Sequence, residues 1–244
     1  MHSLFNRFNR FALIMATFIP LLIVVQCSLL ERGTVSLTVG NTSRFSMGVQ
    51  ENNIQFDKAM IGISKIEFKQ LNPGEEEDDI DFEDDYVCDL IDESCDPDLG
   101  TTEIPADCYT KIEAELMPTA EIIHEECPEV ENCVLVTGTA PNGKPFVLCY
   151  AQSEDFKAED EEGFPVEAVS LNNVLLLFDL EGWFEGVPWD EVEDPDEDGV
   201  FEINKDANRD IHDIIEANIE SNSELGRDQD EDGIIDEENC VDSE

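Results

Sequence analysis

Between Asp107 and Met117 the chain alternates without a slip. Cys108, Thr110, Ile112, Ala114 and Leu116 share one phase; Tyr109, Lys111, Glu113 and Glu115 share the other. A period of two belongs to a half-buried β-strand, since a helix repeats every 3.6 residues. The pattern recurs: Thr34–Val39 puts Val35, Leu37 and Val39 on one face. In Ala59–Gln70, Ile61 and Ile63 take one phase and Ile66 and Phe68 the other, which a bulge near Ser64-Lys65 reconciles. Asn132–Gly138 and Pro145–Ala151 flank Pro141-Asn142-Gly143, an Asn-Gly hairpin signal. Within Val166–Leu180, Val174–Phe178 is apolar on both faces, as a central strand is. Short strands punctuated by Gly, Pro and Asn predict a mainly β protein, an antiparallel sandwich.

Charge limits what such a sandwich can bind. The 244 residues carry 60 acids against 13 bases, a net charge of −47. Nucleic-acid partners are excluded, because affinity for a phosphate backbone comes from Lys and Arg. A basic face for an anionic membrane is excluded likewise. The chain is nevertheless 41% hydrophobic with 14 Phe, enough for a core. Two blocks concentrate the acid: nine in eleven residues over Glu75–Asp85, and six in nine over Glu154–Glu162. They are expected as solvated loops held extended by self-repulsion, with diffuse cation binding as the alternative.

The N-terminus reads as an address. Arg7 and Arg10 precede an apolar run, Phe11–Val25, broken only by Thr17 and Pro20. That run is short for a bilayer span of ~20 residues and right for a signal-peptide core. It ends at Val24-Val25-Gln26-Cys27, which resembles a bacterial lipobox, with Gln26 where the pattern usually has Gly, Ala or Ser. The resemblance implies a signal peptide over 1–26 and lipidation at Cys27; plain secretion and an uncleaved anchor are the alternatives. Ser28-Leu29 after the Cys implies, by the same resemblance, the outer membrane of a bacterial envelope. Removing 1–26 takes two Arg and no acid, leaving a net charge of −49.

Cysteine usage agrees with export. With Cys27 lipidated, seven of the eight Cys remain, a density that reads as disulfides. Cys88/Cys95 and Cys127/Cys133 each close a short acidic loop and are expected as local pairs. Cys108 and Cys149 lie in strand-like segments and are expected to pair across the sheet, leaving Cys240 over. A zinc site at His124, Cys127 and Cys133 is disfavoured, lacking a fourth ligand and C-x₂-C spacing.

The segments GTVSLTVG, AMIGISKIEFKQ, LGTTEIPADCYTKIEAEL and PVEAVSLNNVLLLFDLEGWF resemble an uncharacterised family of bacterial lipoprotein domains over roughly residues 33–184. The family pattern is an opening strand, a second strand, a Leu-Pro-Ala-Gly-x-Tyr-like turn into a strand, and an apolar closing strand. Asp107 and Cys108 stand here where the pattern has Gly. The resemblance implies an immunoglobulin- or transthyretin-like sandwich on the cell surface and no known activity. The expected organisation is therefore 1–26 signal peptide, 27–190 β-sandwich and 191–244 appendage.

The appendage carries a motif with a mechanism. Asp194-Pro195-Asp196-Glu197-Asp198-Gly199 is D-x-D-x-D-G, and Asp228-Gln229-Asp230-Glu231-Asp232-Gly233 repeats it 34 residues on. Ca²⁺ takes about six to eight oxygens. Asp at alternate loop positions turns three carboxylates inward, Gly allows the sharp turn, and the carbonyl of Val200 or Ile234 completes the ring. Glu202 and Asp236 hold the ninth position. With 13 Asp in residues 179–244, chance supplies two such motifs well below about 1% of the time at an average Gly frequency. Lys205 and Asn239 occupy the twelfth position, where an EF-hand has Glu. The second loop resembles a thrombospondin type 3 calcium repeat through Asp228, Asp230, Asp232, Asp236 and Asn239-Cys240, with Glu238 where that repeat has Asp. The expected metal ligands are thus Asp194, Asp196, Asp198, Val200 and Glu202, and Asp228, Asp230, Asp232, Ile234 and Asp236. Between the loops, Ile211, Ile214, Ile215, Ala217 or Asn218, and Ile219 predict a helix over Lys205–Leu225 docked near Trp183, Phe184 and Trp189. Those aromatics are expected in the core, with a glycan platform as the alternative.

No nucleophile elbow, H-E-x-x-H, P-loop or G-x-G-x-x-G is present; His124-Glu125-Glu126-Cys127 has Cys where a zincin has its second His. An enzyme is not expected, and a hydrolase built on paired carboxylates is the least favoured reading. The expectation is an exported, lipid-anchored calcium-binding surface protein with a protein or glycan partner. The alternative is a structural or cation-sequestering envelope lipoprotein.

Overall fold

The computed structural model describes residues 32–42, 53–71, 80–127, 131–194, 196–219, 223–228, 235 and 240. Cys27 lies outside them. The strands are β1 (Arg32–Asn41), β2 (Gln55–Gln70), β3 (Ile80–Asp89), β4 (Ser94–Asp96), β5 (Thr101–Pro105), β6 (Cys108–Leu116), β7 (Val134–Thr139), β8 (Pro145–Tyr150), β9 (Glu154–Pro165), β10 (Leu171–Phe178), β11 (Phe201–Ile203) and β12 (Ser223–Arg227); the helices are α1 (Leu180–Trp183) and α2 (Arg209–Ile219).

They form two sheets, the expected sandwich. One runs β12-β10-β1-β5; the other runs β11-β8-β7-β2-β3-β4, with β6 pairing β2 and β9. The apolar phase of β1 and β10 and both phases of β2 enter one shared core. The register of β2 shifts between Ile63 and Lys65 against both β3 and β6, so the predicted bulge is there and switches which phase faces inward. β10 is central, flanked by β1 and β12, and both its faces are buried, Val174, Leu176 and Phe178 on one and Leu175 and Leu177 on the other. Pairing is antiparallel except for β1 with β10 and β11 with β8, which are parallel. The Asn-Gly hairpin joins β7 to β8 with Gly143 at φ 83°.

Several expectations are corrected. Both acidic blocks run into strand: β3 holds the second half of Glu75–Asp85, and β9 holds all of Glu154–Glu162. Ile80, Phe82, Phe156, Ala158 and Phe164 are buried. Alternate apolar residues bring enough burial to seat a strand whose other face is charged. The helix is shorter than Lys205–Leu225, and Ser223–Arg227 pairs with β10 instead of extending it. Ile211, Ile215 and Ile219 are buried, and Asn218 Nδ2 donates to the carbonyls of Trp183 (3.0 Å) and Glu185 (2.9 Å), so the helix docks where expected. Among the described residues, the stretch 191–244 supplies β11 to one sheet and β12 to the other.

The disulfides are Cys88–Cys95, as expected, with Cys108–Cys240 and Cys127–Cys149 replacing Cys108–Cys149 and Cys127–Cys133. Cys133, not Cys240, stays out of a disulfide; it is buried and its thiol donates to Gln152 O at 2.9 Å. Cys149 and Cys133 fall into different apolar clusters, so only Cys149 faces the turn that carries Cys127. Trp183 and Phe184 are core residues, and Trp189, partly buried, packs on Phe184 and Phe146.

Candidate metal centre

The first D-x-D-x-D-G segment is a tight loop closed at both ends. Its exit is β11, whose Phe201 and Ile203 are buried beside β8 while Glu202 alternates to the other face. Lys144 lies over the Phe201 ring at 4.6 Å. Its entry and exit are tied by one side chain just before α2. Asn208 Nδ2 donates to Glu193 O (2.8 Å) and Glu202 O (2.7 Å), and Asn208 Oδ1 accepts from Glu193 N (2.8 Å).

Inside the loop each Asp accepts a backbone N–H further on. Asp194 Oδ2 accepts from Gly199 N (3.1 Å), Asp196 Oδ1 from Asp198 N (3.4 Å) and Asp198 Oδ1 from Val200 N (2.8 Å). Glu197 and Gly199 sit at φ 62° and 96°. Gly199 is well suited to that left-handed bend, which strains most side chains.

A third carboxylate arrives from elsewhere in the chain. Ligand oxygens of Glu126, Asp196 and Asp198 all lie within 4.8 Å of one another. Glu126 stands in the turn between β6 and β7. The Cys127–Cys149 disulfide ties that turn to β8, the strand that also carries β11. Glu126 and Glu202 line one surface depression.

No protein-family model matches this chain, and neither does any curated protein or solved structure. The functional reading therefore rests on the site.

The electrostatics are those of crowded acid. Burial, and then the charges of Asp196, Glu126 and Asp198, push the Glu202 carboxyl above its ordinary pKa, against a hydrogen bond from Asn204. Lys144 Nζ is 3.5 Å from Asp194 Oδ2. Asp194 Oδ1 is buried with no hydrogen-bond partner, a costly state for a carboxylate oxygen. Glu126, Asp196 and Asp198, with Glu202 lining the same depression, make a hard, oxygen-only donor set from two segments. Such a set suits Ca²⁺ or Mg²⁺ and not a thiolate-seeking metal.

Among the predicted ligands, Asp196 and Asp198 come together and Glu202 is coupled to them. Asp194 stands outside the three-carboxylate group, engaged with Gly199 and Lys144. The Val200 backbone N–H is used within the loop. In the second motif only Asp228 is described. It is buried at the end of β12, its N–H donating to Asn173 O at 3.0 Å. Asp230, Asp232, Ile234 and Asp236 lie outside the described residues. Sequence reading missed Glu126 and Asn208. Asn208 follows the loop and precedes an apolar helical period, a usable signal. Glu126 had none without the Cys127–Cys149 pairing.

Proposed function

We propose that this chain is an exported, membrane-tethered calcium-binding envelope protein, stabilised by one Ca²⁺ at the Asp194–Glu202 loop. The observation that carries the reading is the convergence of Asp196 and Asp198 with Glu126, a residue some 70 positions earlier. Like charges within 4.8 Å repel, and a divalent cation is the simplest agent that turns the repulsion into cohesion. Asp194 and Glu202 flank the group and supply further oxygens; main-chain carbonyls and water complete the set. The ion would bridge the loop to the disulfide-held turn.

Tethering is supported by the N-terminal apolar run and Cys27, and by one surface feature. Arg32, five residues after Cys27, accepts a hydrogen bond at its carbonyl from Val169 N (2.9 Å). Val169 is 79% exposed at φ 59°, and Leu171 is 55% exposed. A β-branched residue in the left-handed region is strained, and strain held at the surface points to a use. Five residues span at most ~17 Å, so a lipid on Cys27 holds this apolar tip at the bilayer.

Calcium titration of the full-length chain by calorimetry, with thermal melts alongside, tests the reading. Binding with Kd of about 10⁻⁴–10⁻³ M, the range of extracellular calcium modules, is expected, with a rise in Tm. The double variant Asp196→Asn/Asp198→Asn should lose both. An absence of heat and of any Tm change at about 5 mM Ca²⁺, above that range, refutes it.

A further inference from the structure

The edge of α2 that lies beside the end of β8 carries a cluster of different chemistry. His212 is 1% exposed, yet its Nδ1 has no hydrogen-bond partner. That nitrogen faces two carboxylates, Asp213 Oδ1 at 3.8 Å and Glu216 Oε2 at 4.0 Å. Both distances are too long for a hydrogen bond. The three ligand atoms lie within 4.8 Å of one another. Asp213 is 57% exposed and Glu216 24%, so an ion can reach the group from solvent.

The group is held from the sheet side. Gln152 Nε2 donates to Glu216 Oε1 at 2.6 Å and Tyr150 OH to the same oxygen at 3.5 Å, which leaves Oε2 turned toward His212. The Tyr150 ring stacks on the imidazole, centroids 5.5 Å apart and 21° between planes. Outer partners that fix a ligand's orientation are what built metal sites use. A buried imidazole nitrogen with no partner is costly, and a metal ion at the mouth of the cluster satisfies it.

We propose that His212, Asp213 and Glu216 form a second cation site that takes a borderline divalent metal of the Zn²⁺ class through Nδ1, Oδ1 and Oε2, with water as the remaining ligand. Zn²⁺ bonds of about 2.0–2.2 Å put tetrahedral ligands roughly 3.4 Å apart. The observed 3.8 and 4.0 Å close to that by side-chain shifts of a few tenths of an ångström. Nitrogen in the donor set separates this site from the oxygen-only loop, because imidazole suits Zn²⁺ and Cu²⁺ while Ca²⁺ takes oxygen.

The test uses the full-length chain with His2 and His124 changed to Gln, leaving one imidazole. Zn²⁺ affinity is read by competition with a chromophoric chelator, and Cu²⁺ is added as a spectroscopic probe in parallel. The expected results are one imidazole nitrogen in the Cu²⁺ spin-echo modulation, and Zn²⁺ affinity weakened about tenfold or more by Glu216→Gln and by Asp213→Asn, at least what losing an outer partner costs. Both variants are expected to fold, since neither removes buried apolar volume, and their Ca²⁺ response should stay unchanged. Asp196→Asn/Asp198→Asn should leave Zn²⁺ binding intact. No imidazole signal, affinity within about twofold in both cluster variants, or Zn²⁺ lost in the loop variant alone each overturns the proposal. Loss of Ca²⁺ binding with Zn²⁺ binding retained would instead refute the loop site and leave this one standing.

Discussion

Replacing Glu126 by Gln should push the apo and calcium-bound proteins in opposite directions. Two carboxylates at 4.8 Å repel by about 1 kcal/mol at the dielectric of water and about 3 kcal/mol at an effective value near 20. Asp196 and Asp198 are exposed, so the lower figure applies. Glu126 faces both of them, and its neutralisation relieves about 1–2 kcal/mol in the apo state. For a chain of this size that is a rise in apo Tm of about 2–8 °C at low salt, shrinking as salt screens the charges. The same change removes a ligand oxygen's charge. Ca²⁺ at a hundred times Kd stabilises by about 2.7 kcal/mol, and a tenfold loss of affinity takes about 1.4 kcal/mol from that. Scanning calorimetry in chelator and in millimolar Ca²⁺, with wild type and variant side by side, reads both effects. An apo Tm that falls or stays level in the variant, or an undiminished calcium shift, would show that the three carboxylates do not act as one site.

Three further outcomes are expected. Burial pushes the Tyr109 phenol up to about 12. The unfolded chain ionises near pH 10 and the folded one does not, so stability is full below pH 10 and falls by roughly 2–3 kcal/mol on rising through pH 12. Tyr109→Phe should flatten that slope in denaturant melts, and an unchanged slope counts against the burial argument. Val169→Trp in the full chain reconstituted in vesicles should shift to the blue and be quenched by brominated lipid; an unquenched, water-like spectrum removes the apolar tip from the membrane. Peptide mapping without reduction should recover Cys88–Cys95, Cys108–Cys240 and Cys127–Cys149, with Cys133 alkylated only after denaturation. A Cys127–Cys133 peptide would unseat Glu126 from the site.

The strands were readable along the chain wherever one face is greasy and the other wet, because alternation is local and repeats every two residues. β6 from Ile112 onward, the β7–β8 hairpin, the bulge in β2 and the two-faced β10 were visible in this way; at the start of β6 a register shift between Tyr109 and Lys111 puts Tyr109 in the core, against the phase that strict alternation gives it. β3 and β9 were hidden, because dense acid masked the phase of Phe82, Phe156 and Ala158 that burial obeys. The Asp-rich loop was legible because its six residues make their own turn. What assembles around it was not. Spacing favoured the short Cys127–Cys133 link, whereas packing sends Cys133 inward and turns Cys127 to Cys149, which brings Glu126 to Asp196 and Asp198. His212 read as an ordinary helix-face residue until α2 was laid beside Tyr150 and Gln152. Local patterns are written in neighbouring residues. The meeting of carboxylates some 70 positions apart depends on which surfaces bury one another, and that is settled only when the Cys127 turn and β11 both come to rest on β8.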